Sequence, residues 1–233
     1  MDGINQVQIN SEIGFDFPAT LRAFLRQDPE IIMVGEIRDL ETSKIAYKAA
    51  STGHMVLSTL HTNDAVSTIM RLLNMGLPKF MVAEATSIVV AQRLIKTVCK
   101  NCSEIYEPQE SVLIDLGVPE SELGLYTETK KANGCTYCNG TGMQGRRPVF
   151  EVFDFQENIK EAILSGATGQ EIKKMAVHTN GMKTMRMNAL VALQKGYTTV
   201  EEVINVTVKD NICLLYTSPS PRDATLSRMP SSA

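Results

Sequence analysis

The apolar positions of the chain change period several times, and each change predicts an element. Leu21, Phe24 and Leu25 follow Asp16 and Pro18 at helical spacing, which predicts a capped helix over about 17–27. Asp28-Pro29 closes it, because the residue before a proline is pushed out of the helical region. Ile31-Ile32-Met33-Val34 is then unbroken and stops at Gly35-Glu36, the pattern of a parallel strand buried on both faces. A helix over 40–52 ended by Gly53, a strand over 55–60, and a helix capped by Asn63 or Asp64 and stopped by Gly76 come next. One long helix is expected over 78–98. Farther on, 148–153 reads as a strand, Thr168-Gly169-Gln170-Glu171 as a capping box, and about 198–205 as a last helix. Residues 6–10 alternate like an edge strand. Strands alternating with helices predict an α/β fold with a parallel sheet and helical crossovers.

Composition narrows the function. A chain of 233 residues, 43% hydrophobic, can bury a core and form one or two domains. A net charge of -3 argues against a nucleic-acid partner, which selects for basic surfaces. No apolar run reaches bilayer length, and residues 1–6 lack the basic and apolar regions of a secretory signal. Four of the five cysteines form two Cys-x-x-Cys pairs, which without a secretion signal favours metal over disulfides. Residues 213–233 have no periodicity and read as a disordered tail. They also look like translated sequencing-adapter sequence, so Cys213 is set aside.

Three constellations carry candidate chemistry. Glu36 ends an apolar strand, at the edge where open α/β sheets bind ligands. It reads either as a loop acid paired to Arg38 or as a carboxylate that orients water near a γ-phosphate. His54 and His61 stand seven apart, an odd offset that puts them on opposite faces of one straight strand. His61 falls after the strand, at the ligand edge, and His54 at its start. Cys99-Lys100-Asn101-Cys102 and Cys135-Thr136-Tyr137-Cys138 are two knuckles that supply four thiolates to a closed, structural zinc (Zn2+) site, with two disulfides or four free thiols as the alternatives. Met175, Met182, Met185 and Met187 read as core filling, and His178 has no assigned role.

The run from Leu25 to Asp39, Leu25-Arg26-Gln27-Asp28-Pro29-Glu30 followed by Ile31-Ile32-Met33-Val34-Gly35-Glu36-Ile37-Arg38-Asp39, resembles the Walker B region of the ATPases that power type IV pili and type II secretion. Thr52-Gly53-His54 through Leu60-His61-Thr62-Asn63 is similar to that family's histidine box. The resemblance extends through Ala91-Gln92-Arg93-Leu94, the cysteine pairs and Gly145-Arg146-Arg147-Pro148-Val149-Phe150-Glu151, and covers about residues 3–207. The opening Gly3-Ile4-Asn5-Gln6-Val7 tilts it to the pilus-extension branch, and the tetracysteine insertion argues against the retraction branch.

The resemblance implies Glu36 as catalytic carboxylate and His61 as γ-phosphate sensor. It places Gly35, His54, Arg22 and Arg26 as candidates for nucleotide binding or a subunit interface. It further implies ATP and Mg2+ as cofactors, a homo-hexamer, an inner-membrane platform protein as partner, and a peripheral place on the cytoplasmic face of the inner membrane. Against it, no Gly-x-x-x-x-Gly-Lys-[Ser/Thr] loop occurs in the 233 residues. The expected organisation is therefore the C-terminal half of a RecA-like ATPase sheet over 1–98, a zinc-binding insertion over 99–145, a mostly helical region over 146–212 and the tail. Met1 reads as an internal methionine or a truncated start, and the chain alone as inactive. The rival readings are a type II secretion motor and a non-catalytic, zinc-stabilised interaction module.

Overall fold

The computed structural model describes residues 8–210, so the first two residues of the expected edge strand at 6–10 and the whole 213–233 tail lie outside the described residues. Asn10 makes only a bridge to Phe15. The first helix, α1 (Phe17–Leu25), starts where Asp16 accepts the amide of Ala19. Strand β1 (Ile31–Val34) is joined through α2 (Leu40–Ser51) to β2 (Met55–Ser58), and the two strands pair in parallel, Ile31 opposite Met55 and Val34 opposite Ser58. Asp39 and Asp64 cap α2 and α3 (Ala65–Asn74), each accepting the amide three residues on and filling an orphan donor of the first turn.

Two expectations fail here. Leu21, Ile32, Val34, Ile37, Ala46 and Ala49 form a core under one face of β1. On the other face Ile31 and Met33 are 62% and 69% exposed, since α1 and α2 cover one side only. The strand is thus buried on a single face among the described residues. The long helix expected over 78–98 is instead a short α4 (Lys79–Ala85) and an eleven-residue strand, β3 (Ile88–Val98). The β-branched run Ile88-Val89-Val90 resists helix, and Ile95 packs inward while Leu94 stays exposed, a period of two that helical counting missed.

Strand β3 pairs antiparallel with β6 (Met143–Asp154), Val90 opposite Val152 and Arg93 opposite Val149. Between them lie β4 (Ser103–Ile105), α5 (Glu110–Asp115) and β5 (Lys130–Ala132), with β4 and β5 paired antiparallel. The last described elements are α6 (Glu157–Ser165), α7 (Gly169–His178), α8 (Met185–Gln194) and α9 (Val200–Val206).

The inward face of the β3–β6 ribbon joins the rest. Phe153 and Phe155 meet edge to face within a core made by α3, α4, α6 and α7. Ile95 and Val149 share a second core with Leu113, Leu116, Val118 and Tyr126 of the insertion and with α8 and α9. Met182 and Met185 are buried in these cores. The capping box is formed, Thr168 Oγ1 accepting from Glu171 N while Glu171 Oε2 accepts from Thr168 N. Replacing Thr168 by Ala is expected to cost about 1 kcal/mol in a denaturant titration, the usual loss for such a cap.

Candidate functional site

The carboxyl ends of β1 and β2 are stitched together beyond their last paired residues. Ile37 N donates to Thr59 O at 3.0 Å, and Thr59 Oγ1 donates to Gly35 O at 2.6 Å. Gly35 therefore serves through its carbonyl, and Glu36 is suspended between the two bonds. His61 Nε2 stands 2.7 Å from Glu36 Oε1, and Arg38 Nε donates to Glu36 Oε2 at 2.5 Å. His61 and Glu36 thus meet as an ion-pair contact, and Arg38 supplies the hydrogen bond to the carboxylate. The His61 and Arg38 side chains are 82% and 76% exposed. Pairs so open to water contribute little to stability. Their geometry bears on chemistry: Arg38 occupies Oε2 while Oε1, beside His61, keeps lone pairs, which leaves Glu36 able to accept a proton from water.

The other candidates are not brought to this edge. His54 precedes β2, at the opposite end of the strand pair, where its Nδ1 is 3.1 Å from Ala49 O and 3.2 Å from Thr52 Oγ1. It finishes the end of α2. Arg22 Nη1 pairs with Glu41 of α2 at 3.0 Å, and Arg26 Nη1 donates to Arg22 O at 3.2 Å. Both arginines are occupied on the outer face of α1.

The loop bearing His61 is held by residues that the pattern of hydrophobicity could not single out. Asn63 Oδ1 accepts from Arg93 Nη2 at 2.9 Å, and the hydroxyls of Thr62 and Thr68 are 2.7 Å apart. A 900 Å³ cleft opens beside it, between His61, Asp64, Met70 and Arg71 on one wall and Thr168, Gln170 and Lys173 on the other.

The four cysteines converge. Their sulfurs lie within 4.8 Å of one another, with Cys99–Cys135 at 3.9 Å, Cys102–Cys138 at 3.8 Å and Cys135–Cys138 at 3.7 Å. These separations rule out the bonded contact of a disulfide. They match the edge of a tetrahedron of thiolates about 2.3 Å from a central zinc, roughly 3.8 Å, so the four residues fit and could hold that ion. Burial pushes the Cys138 thiol up, but the amides of Cys135 and Gly142 and the neighbouring thiols outweigh it and bring it down to about 6. Burial and the three neighbouring thiols push Cys102 up to about 12. Glycine is required at two places in the knuckle: a Cβ on Gly134 would meet Gly140 O at 2.5 Å and one on Gly142 would meet Ala132 Cβ at 2.6 Å, both at positive φ.

The profile of the family described as type II/IV secretion system protein matches residues 1–205. The chain is 48% identical over 209 residues to the type IV pilus assembly ATPase PilB of Myxococcus xanthus, covering 89% of this chain and 37% of that protein. It is 42% identical over 209 residues to the type II secretion system ATPase E of Vibrio cholerae, covering 89% of this chain and 40% of that protein. Among solved structures it resembles the pilus retraction motor PilT with bound ADP, at a TM-score of 0.57 and 24% identity, over 89% of this chain and 45% of that one. At that identity the likeness concerns the fold, and it agrees with a mixed α/β architecture. The chain thus spans about two fifths of the length of the two curated relatives.

Proposed function

The chain belongs to the type II/IV secretion system protein family, and from that premise we propose that it is the C-terminal part of an ATP-hydrolysing motor subunit that powers type IV pilus assembly. The observation that carries the reading is the Glu36–His61 contact at the carboxyl edge of a parallel strand pair. In this reading Glu36 orients a water and takes its proton, and Arg38 fixes the far oxygen of the carboxylate. His61 exchanges its contact with Glu36 for a hydrogen bond to a phosphate oxygen, so the loop at 61–64 differs before and after phosphate release. ATP with Mg2+ supplies the γ-phosphoryl group that is transferred to water. The grip on the phosphates needs a glycine-rich lysine loop, absent from these 233 residues. The chain alone is accordingly expected to turn over no ATP.

The exposed apolar face of Ile31, Met33, Met55 and Leu57 supports this reading, because it is a surface that a further layer packed on the sheet would cover. The relatives are longer than this chain and can supply such a layer. Zn2+ on Cys99, Cys102, Cys135 and Cys138 would tie the 99–145 segment together and leave no open position for catalysis. The division at residues 98 and 145, the homo-hexamer, the inner-membrane platform protein as partner and a place at the cytoplasmic face of that membrane belong to the same proposal. No described helix is long and apolar enough to cross a membrane. Arg22 and Arg26 remain candidates for a contact between subunits.

The Vibrio cholerae relative favours a second reading, a type II secretion motor with the same site. Fusing the phosphate-loop half of a pilus assembly ATPase to residues 1–212 separates them in vivo. The chimera is expected to restore pilus-dependent motility to a strain lacking that ATPase and to leave a type II secretion mutant uncorrected. Restored secretion without motility would reverse the assignment. Zinc binding without nucleotide affinity in the chimera would leave only an interaction module.

A further inference from the structure

Glu151 is 1% exposed and lies on the inward face of β6, between Val149 and Phe153. A carboxylate in that position would be costly without partners, and it has two of an unusual kind. Its Oε1 accepts from Ala65 N at 2.8 Å, and its Oε2 accepts from Met185 N at 2.9 Å. Ala65 and Met185 are the first residues of α3 and α8, so each amide is an orphan donor of a helix start. The partial positive charge at the two helix N-termini neutralises much of the buried anion.

The contacts continue around a closed ring. Met185 follows Thr184, the cap of α8, whose hydroxyl bonds to Asp210. Asp210 Oδ1 pairs with Lys173 Nζ at 2.9 Å, and Lys173 approaches Asp64 Oδ2 at 3.8 Å. Asp64 caps α3 and precedes Ala65, which closes the ring on Glu151. Burial pushes the Glu151 carboxyl up; the two amides and the Lys173 ammonium pull it back, but it stays above the ordinary carboxylate value. His61 lies three residues before Asp64, on the loop that the ring and Arg93 hold from below.

We propose that Glu151 is a positioning residue: by clamping the starts of α3 and α8 together it sets the loop that presents His61 to Glu36, and it ties that loop mechanically to the C-terminal helices. As a positioning residue for the ATP site the assignment rests on the reading above, but the clamp itself does not. Any movement of His61 on phosphate release would be felt at α8 through one carboxylate. Val149 and Phe153, on either side, pack by hydrophobicity and carry no such link.

The test uses the whole 233-residue chain without nucleotide, so it stands or falls independently of ATP hydrolysis. Glu151→Gln keeps the shape but offers one acceptor where two amides need one each. In the Glu151→Gln chain, amide exchange at Ala65 or Met185 is expected to quicken about tenfold or more. The His61 ring signal in proton–carbon NMR should shift, and a second change, Glu36→Gln, should no longer move it as it does in the parent chain. Ile163→Val, a core change in α6 away from the ring, should leave the His61 signal in place. The proposal is overturned if Glu151→Gln leaves that signal unmoved, or if Ile163→Val moves it equally. Should Glu151→Gln fail to fold, the unaltered chain decides: Ala65 and Met185 amides are expected to share one opening free energy across denaturant, and independent exchange would overturn the clamp.

Discussion

Chelation at neutral pH is expected to remove one zinc per chain and to lower the melting temperature by well over ten degrees. Structural zinc bound by thiolates contributes folding free energy of about 10 kcal/mol or more in isolated knuckles. Here the ligands come from the two ends of a long insertion, Cys99 and Cys102 at the exit of β3 and Cys135 and Cys138 just before β6. Without the ion those ends are tied mainly by Cys99 N donating to Gly142 O and by the short pairing of β4 with β5. The loss should spread, because Leu113, Leu116, Val118 and Tyr126 lie in the same core as α8 and α9. Cys138→Ser is the sharpest variant, since its sulfur takes two backbone amides as well as facing the other thiols. It should abolish stoichiometric zinc in metal analysis and cost roughly 4 kcal/mol or more, in the range for loss of a buried cluster. Unchanged melting on chelation would contradict a metal role for the cluster.

The second large effect concerns Glu36. In a chimera that carries a phosphate loop, Glu36→Gln should reduce ATP turnover by about a hundredfold to ten-thousandfold, the usual contribution of a positioned base. The substituted amide can keep the hydrogen bond from Arg38 but cannot take a proton from water. Nucleotide affinity should change far less, because the phosphate grip lies on other residues. His61→Ala should slow the same step. The double variant should be little worse than Glu36→Gln alone, since the two side chains share one contact at 2.7 Å.

Much of this was legible along the chain. Asp16 as a cap, Asp64 as one of two candidate caps, and Gly53 and Gly76 as stops follow from the chemistry of helix ends, and the structure has them there. Glu36 at a strand terminus and His61 in the loop beyond β2 could be placed because both follow an apolar run with a clear end. The four cysteines were legible by spacing alone. The segment 86–98 was not, because Ala91, Leu94, Ile95 and Val98 satisfy a helical count as well as an alternating one. The exposure of Ile31 and Met33 was hidden for another reason: an apolar run reports what a strand can bury, and what covers it is settled by the elements packed on the sheet. Glu151 carried a weak signal, a lone acid at an inward position between Val149 and Phe153. Its role emerged only when two helix starts, 86 and 34 residues away in sequence, met it in space.

The central claim is that Glu36, held by His61 and Arg38, is the proton-accepting half of an ATP site. It is tested most directly by measuring single-turnover ATP hydrolysis and nucleotide binding side by side in the chimera, with and without Glu36→Gln. The account predicts hydrolysis lowered at least about a hundredfold with binding preserved within a few-fold. Hydrolysis that survives Glu36→Gln undiminished would contradict it.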